Sequence, residues 1–211
     1  MFPLGSVLFP GAVLPLHVFE PRYQALVRHC VETDPEFGVV LIERGSEVGG
    51  GDVRTSVGTV ARIVQLAELG DGRFALVAVG QRRIRVRAWL DDDPYPRAEV
   101  DDWLDPPADD EGEALHDLVA TAVARLRRTL AFATEAGEQV ASATAEISVD
   151  PVLASYQAAA LAPVGPADGQ RLLAAPSAGE RLTLLTELLD DADAVLHFRL
   201  GAGGEPPGGG D

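Results

Sequence analysis

Positions 2–23, FPLGSVLFPGAVLPLHVFEPRY, constrain the fold more tightly than any other stretch of the chain. They hold two short apolar runs, a Pro-Gly turn and a helix start, so two strands and a helix must pack against one another within a few residues. Residues 2–9 read as a strand carrying Leu4, Val7, Leu8 and Phe9, and Pro10-Gly11 redirects the chain. Across residues 12–19, Leu14, Leu16 and Val18 alternate with Val13, Pro15 and His17, the period of a half-buried strand. Pro15 has no N–H to give a ladder, so this strand belongs at an edge or a bulge.

Glu20-Pro21 opens a helix, because proline is preorganised for the first helical position and an acid complements the positive end of the helix dipole. Tyr23, Leu26, Val27, Cys30 and Val31 follow at i, i+3, i+4, i+7 and i+8, one apolar face, and Thr33-Asp34-Pro35 stops the helix. Burying each Leu or Val of that stripe is worth about 1.5–3 kcal/mol. Arg22 lies near the positive end of the helix and needs a carboxylate, for which Glu20 is the nearest candidate.

The motif Phe2-Pro3-Leu4, then Leu8-Phe9-Pro10-Gly11, then residues 14–23 (LPLHVFEPRY) resembles the opening signature of the Lon protease N-terminal, substrate-binding, domain family. Further pieces keep the order: FGVVLI at 37–42, GTVARI at 58–63, DGRF at 71–74, GQRRI at 80–84, QRLL at 170–173 and ERL at 180–182. The likeness runs over nearly all of residues 2–197. It implies an α+β fold: a barrel-like, PUA-like mixed β-sheet with one inserted helix, followed by an α-helical C-terminal subdomain. It also implies a non-catalytic module that engages polypeptides or partner proteins without a cofactor. The signature residues it marks are Pro3, Leu4, Phe9, Pro10, Gly11, Leu14, Pro15, Leu16, Phe19, Glu20, Pro21, Arg22 and Tyr23, most of them structural. Met1 stands inside the motif, which leads to the expectation that the natural start lies a few apolar residues upstream.

With 211 residues and 46% hydrophobic content the chain can bury a sizeable core. A formal charge of −16 disfavours nucleic acid and anionic membranes as partners, because phosphate recognition draws on clustered cations. All 17 basic residues are arginine, and neither Lys nor Asn occurs, as a GC-rich genome would produce. The single Cys30 excludes an internal disulfide and suits a reducing cytosol. Strand-like sequence begins at Phe2, leaving no room for a leader, and no run approaches ~18 apolar residues.

Further along, residues 37–43 are a short apolar run, and Gly45 with Gly49-Gly50-Gly51-Asp52 reads as a flexible excursion that continues into strand rather than a phosphate loop. Residues 59–69 and 73–79 form a hairpin about Gly70-Asp71-Gly72, and residues 74–79, apolar on both faces, belong centrally in the sheet. In residues 82–89, Ile84, Val86 and Ala88 alternate with Arg83, Arg85 and Arg87. Pairing with residues 96–103 sets Val86 against Val100, Ala88 against Ala98, Arg85 against Asp101 and Arg87 against Glu99, a self-neutralised and solvated arginine face.

Residues 101–113 (DDWLDPPADDEGE) mark the change from strand to helical periodicity. The expected organisation is a β-rich subdomain over 1–104, a linker over 105–113, a helical subdomain over 114–198 and a disordered Gly/Pro tail over 199–211. Helices follow through Leu115, Leu118, Val119, Ala122, Val123, Leu126 and Leu130, interrupted at Gly137; from an Asp150-Pro151 cap to Pro163; and from a Ser177–Glu180 capping box through Leu182, Leu185, Leu189 and Leu196.

The phosphate-binding motif and the Ser-Lys dyad of the Lon enzyme both need a lysine, so neither fits this chain. His17, His29, His116 and His197 are scattered, without metal-ligand spacing, and Cys30 sits on the apolar helix face, so no catalytic, metal or cofactor residue is assigned. The reading is therefore a cytoplasmic polypeptide- or partner-recognition module, with no nucleic acid and no membrane. Two rivals stay open. A hydrolase would need a pocket joining a carboxylate, a histidine and a serine only in three dimensions, and an RNA-binding barrel-like module would need a basic surface patch.

Overall fold

The computed structural model describes residues 1–45, 51–70, 72–106 and 112–202. The Gly-rich excursion at 46–50, the acidic run at 107–111 and the tail at 203–211, on which three of the expectations fall, lie outside the described residues, as does Asp71. The elements run β1 (Phe2–Leu4), β2 (Val13–Val18), α1 (Pro21–Glu32), β3 (Glu36–Arg44), β4 (Val53–Glu68), β5 (Phe74–Leu90), β6 (Arg97–Asp102), α2 (Gly112–Glu135), α3 (Pro151–Leu161), α4 (Pro166–Leu173) and α5 (Ala178–Ala202). The fold class is α+β.

The strands make one mixed sheet in the order β1-β3-β4-β5-β2, with β6 also on β5. Only β1 and β3 are parallel. The sheet curls but does not close: its two ends, β1 and β2, face one another across a narrow cleft of about 80 Å³ lined by Phe2, Leu4, Leu16, His17, Val18, Phe19, Glu20 and Tyr23. The barrel-like expectation is corrected to that extent. Helix α1 packs Tyr23, Leu26, Val27 and Cys30 into the same core as Phe2 and Leu4, and Tyr23 stacks on Phe2 at 4.1 Å. Val31, placed on the apolar face by its spacing, points out, because the buried arc of α1 ends at Cys30.

The opening stretch joins two cores. Leu8 belongs to the core of the sheet, while its neighbour Phe9 belongs to that of the helices. Residues 5–12 are irregular rather than strand, since their main chain serves other segments: Leu8 C=O accepts from the buried Thr59 hydroxyl at 2.6 Å, and Gly11 N–H donates to Gly80 C=O at 2.8 Å. Gly11 takes a φ of 81°, open to glycine, and a Cβ on Gly80 would stand 2.3 Å from the Phe9 carbonyl oxygen. That close approach lets β5 run unbroken past Phe9, so the two strands expected at 73–79 and 82–89 are one.

The halves meet in a polar junction. Arg83, 1% exposed, donates to the carbonyls of Trp103 at 3.1 Å, Leu173 at 2.9 Å, Ala175 and Pro176 at 3.5 Å, and lies over the Trp103 ring. Arg181, equally buried, donates to Leu172 C=O at 3.2 Å, Ser155 Oγ at 2.7 Å and Asp105 at 2.7 Å. Asp105 also lies 3.5 Å from Arg83 and accepts from the Tyr156 hydroxyl. The two guanidiniums thus serve carbonyls at and just beyond the C-terminus of α4, where the helix dipole is negative and its own bonds run out. Desolvation lowers the Arg83 guanidinium below its usual pKa, opposed by Tyr156 and Asp105, and burial raises that of Tyr156.

This corrects the solvated arginine face, of which Arg83 is an internal member. The register holds at Arg85 with Asp101 and Val86 with Val100, but a bulge at Arg87 then pairs Ala88 with Glu99 and Trp89 with Ala98. Arg87 reaches Asp101 instead.

In the helical half, Asp150 caps α3 through Leu153 N–H at 2.7 Å, Ser177 accepts from Glu180 N–H at 3.2 Å, and Gly137 leaves α2 with φ 81°. The sequence reading omitted α4, which starts at Pro166 and buries Leu172 and Leu173. Leu118, placed on the apolar face by its spacing, is exposed.

Candidate functional site

Strand β5 has two sides. Strand β4 takes one, and β2 and β6 share the other in succession, β2 along residues 74–79 and β6 along 84–90. Over β2, β5 and β4 the cross-strand rows are Pro15, Val77 and Gln65; Leu16, Leu76 and Leu66; and His17, Ala75 and Ala67. The middle row turns toward the core at Leu76, which is buried, and at Leu16, which packs against it, while Leu66 at its β4 end stays open to solvent. The two flanking rows face out and, with the main chain between them, bound an open trough of about 530 Å³. Alanines at 67 and 75 make it deep at one end, and Pro15, Val77 and Gln65 form one wall. No Asp, Glu or Arg lines it.

Leu66, which lines the trough, is open to solvent, and the strands that bound it carry further exposed apolar residues in sequence, Val13 at 65% and Val64 at 53%. Single exposed apolar residues are ordinary, but a cluster about a charge-free depression is the usual character of a recognition surface. Val64 is the extra residue of the bulge between Ile63 and Gln65, which turns it outward.

The signature residues do not converge on this surface as a set. Pro3 and Leu4 lie in β1; Phe9, Pro10 and Gly11 form the turn between the cores; Leu14, Pro15 and Leu16 lie in β2; Phe19 and Glu20 link β2 to α1; Pro21, Arg22 and Tyr23 begin α1. Glu20 and Arg22 pair at 3.1 Å, as expected. Pro15 and Leu16 line the trough, and Phe19 stands at the cleft between β1 and β2. The other trough residues were not singled out from the sequence, although residues 74–79 are apolar on both faces, which in a one-sided sheet leaves Ala75 and Val77 in the open.

Chemistry is sparse. The four histidines lie on separate elements, β2, α1, α2 and α5, and no group of three or more His, Cys, Asp or Glu able to hold a metal occurs among the described residues. Cys30 is buried, its thiol donating to Glu36 C=O at 3.3 Å, and burial pushes its pKa up, which suits a core residue. None of five clefts among the described residues joins a serine, a histidine and a carboxylate. Arginines of the sheet are matched by acids: Arg62 and Arg82 hold Glu36 at 2.8 Å each, and Arg54 holds Asp52 at 2.6 Å. No described helix is long and apolar enough to cross a membrane.

Comparison with known proteins places these features. A Lon protease 2 of Myxococcus xanthus is 42% identical over 99 residues, 46% of this chain and 12% of that protein. A Lon protease of Cytophaga hutchinsonii is 28% identical over 195 residues, 92% of this chain and 24% of that protein. The chain therefore spans at most about a quarter of these relatives. The crystal structure of a Lon N-terminal domain protein from Xanthomonas campestris superposes with a TM-score of 0.59 at 28% identity, covering 87% of this chain and 94% of that one. The family model of the ATP-dependent protease La (LON) substrate-binding domain matches residues 1–191, and neither the ATPase nor the protease domain of those relatives is matched. The chain belongs to the Lon substrate-binding domain family.

Proposed function

We propose that this chain is a non-catalytic recognition module that binds apolar stretches of unfolded polypeptides, in the cytoplasm, on the outer face of β2, β5 and β4. One observation carries the reading: the trough of about 530 Å³, lined by no Asp, Glu or Arg among the described residues, on strands that expose Val13, Val64 and Leu66. Such a surface gains apolar burial from a client without desolvating a charge. The absence of lysine supports a module without nucleotide or peptide-bond chemistry. The proposal keeps residues 1–104 as the client-facing subdomain and the helices as its support, with the expected bounds moved: α2 begins at Gly112 rather than 114, and α5 runs to Ala202 rather than ending at 198. The signature residues act by holding the fold, with Pro15, Leu16 and Phe19 reaching the client.

The test is a titration of the chain with reduced, carboxamidomethylated lysozyme, a basic protein that cannot fold in that form, and with the same protein folded, with and without ATP. The unfolded form should bind and the folded form should not, with no effect of ATP. Binding should weaken in salt for basic clients, since the net charge of −16 attracts them over about 8–10 Å. Equal affinity for both forms would remove client recognition, and ATP turnover or peptide cleavage by pure protein would overturn the non-catalytic reading.

A further inference from the structure

Strand β2 ends the sheet, and its hydrogen-bond parity follows from one bond. Gly80 N–H donates to Ala12 C=O at 2.9 Å, so the antiparallel ladder between β2 and β5 engages the even residues, Leu14, Leu16 and Val18. Val13, Pro15 and His17 then turn their main-chain groups the other way, to the free edge. Their ladder partners Val79, Val77 and Ala75 face them as the non-bonded pairs. Pro15 thus costs the sheet nothing, and its missing N–H is subtracted from the edge alone. The edge keeps two donors, Val13 and His17, and three acceptors, the carbonyls of Val13, Pro15 and His17.

Edges of this kind are normally blunted by charge. Strand β6, the other edge of β5, carries Glu99, Asp101 and Asp102 among its six residues Arg97–Asp102. No Asp, Glu or Arg occurs in Val13–Val18. The two edges therefore differ in what may approach them: β6 repels an apolar strand by the desolvation of its acids, while β2 presents only one missing donor.

We propose that the client binds by adding a strand of about five residues to the edge of β2. The proposal rests on the polypeptide-recognition reading and names its mode. Client residues opposite Val13, Pro15 and His17 place their side chains on the outer face, beside the trough. The intervening ones turn toward the cleft of about 80 Å³ lined by Phe2, Leu16 and Phe19. The ligand class is an extended, apolar, uncharged segment, free of proline where its N–H meets β2, with basic flanks favoured by the overall charge.

The experiment uses the full chain and peptides tiling carboxamidomethylated lysozyme. The tightest peptide is N-methylated one residue at a time. Strand addition predicts a period of two: methylation at alternate residues lowers affinity tenfold or more, and methylation between them changes it less than twofold. Pro15→Ala, which restores the sixth edge group, should tighten binding about fivefold, what one net hydrogen bond of about 1 kcal/mol gives. Binding that tolerates N-methylation everywhere, or falls evenly at every position, overturns strand addition and leaves side-chain recognition in the trough standing. Pro15→Ala binding no tighter than the parent overturns it likewise. No binding of the unfolded carrier removes the recognition reading and this one with it.

Discussion

Arg83 and Arg87 lie four residues apart on one strand, in one unbroken alternation of arginine with aliphatic residues, and end in opposite environments. Arg83 sits where β5 passes between the halves, with four carbonyls, Asp105 and the Trp103 ring about it. Arg87 lies on the β5–β6 arm, 65% of its side chain exposed, against Asp101 alone. The difference lies in what is packed on the face, and the alternation is silent about that. A strand period states which residues share a side. It does not state that the helical half covers that side at residue 83 and leaves it bare at residue 87.

The largest effect should come from breaking the buried end of that pair. Arg83→Met keeps the bulk but strips four carbonyls of their donor and Asp105 of a charge, in a site closed to water. Removing one partner from a buried network costs about 3–5 kcal/mol. Guanidinium unfolding should show that loss, together with a lower m-value if the halves separate before they melt. A loss under about 1 kcal/mol would mean the junction is held by apolar contact alone.

Asp105→Asn is the next step down. The amide retains an acceptor for Arg181 and Tyr156 but withdraws the counter-charge from both guanidiniums. The expected cost is about 1–3 kcal/mol, in the range for hydrogen bonds to charged groups. Stability equal to the parent would make the two arginines self-sufficient on the carbonyls of residues 172–175.

Most of the sheet half was legible because its signals are local. The Pro-Gly turn, the Glu20-Pro21 helix start, the edge position of the Pro15 strand and the Val86 to Val100 register each follow from a few neighbouring residues. What was hidden depends on contact between distant segments. Asp105 reads as part of an acidic linker, yet it closes the junction by reaching residues 83, 156 and 181. The bulge at Arg87 has no glycine to announce it. Helix α4 is eight residues long and too short for a periodic signal to stand out. The trough is hidden for the same reason as Arg83: Ala67 and Ala75 are small residues in separate strands, and only pairing makes a depression of them.

Just before Arg83 stands Arg82, on the opposite face, sharing Glu36 with Arg62. Hydrogen bonding from Arg82, with its charge and that of Arg62, holds the Glu36 carboxyl below the usual glutamate range, against a smaller opposing effect of burial. The folded state therefore gives up this carboxylate later than the unfolded state as pH falls. Its contribution is present above the ordinary value of about 4.3 and is lost below it. Glu36→Gln should lower stability at pH 7 and approach the parent near pH 3. A gap that persists at pH 3 would assign the effect to shape rather than charge.

The smallest effect belongs to Arg87→Ala, and it is the sharper for being small. Both partners of the Arg87 to Asp101 pair are more than half exposed, so screening and side-chain entropy consume most of the attraction. The change should cost under about 0.5 kcal/mol and fade as salt is raised, because the Debye length shrinks to about 3 Å at 1 M. If the loss were instead above about 1 kcal/mol and indifferent to salt, the arm would be doing more than pairing charges. The bulge would then be the place to look, since Arg87 is the residue that it leaves without a partner across the ladder. A salt-sensitive loss of a few tenths beside a salt-indifferent loss of several at Arg83 would establish, on one strand and with one residue type, that environment and not identity sets the worth of an arginine.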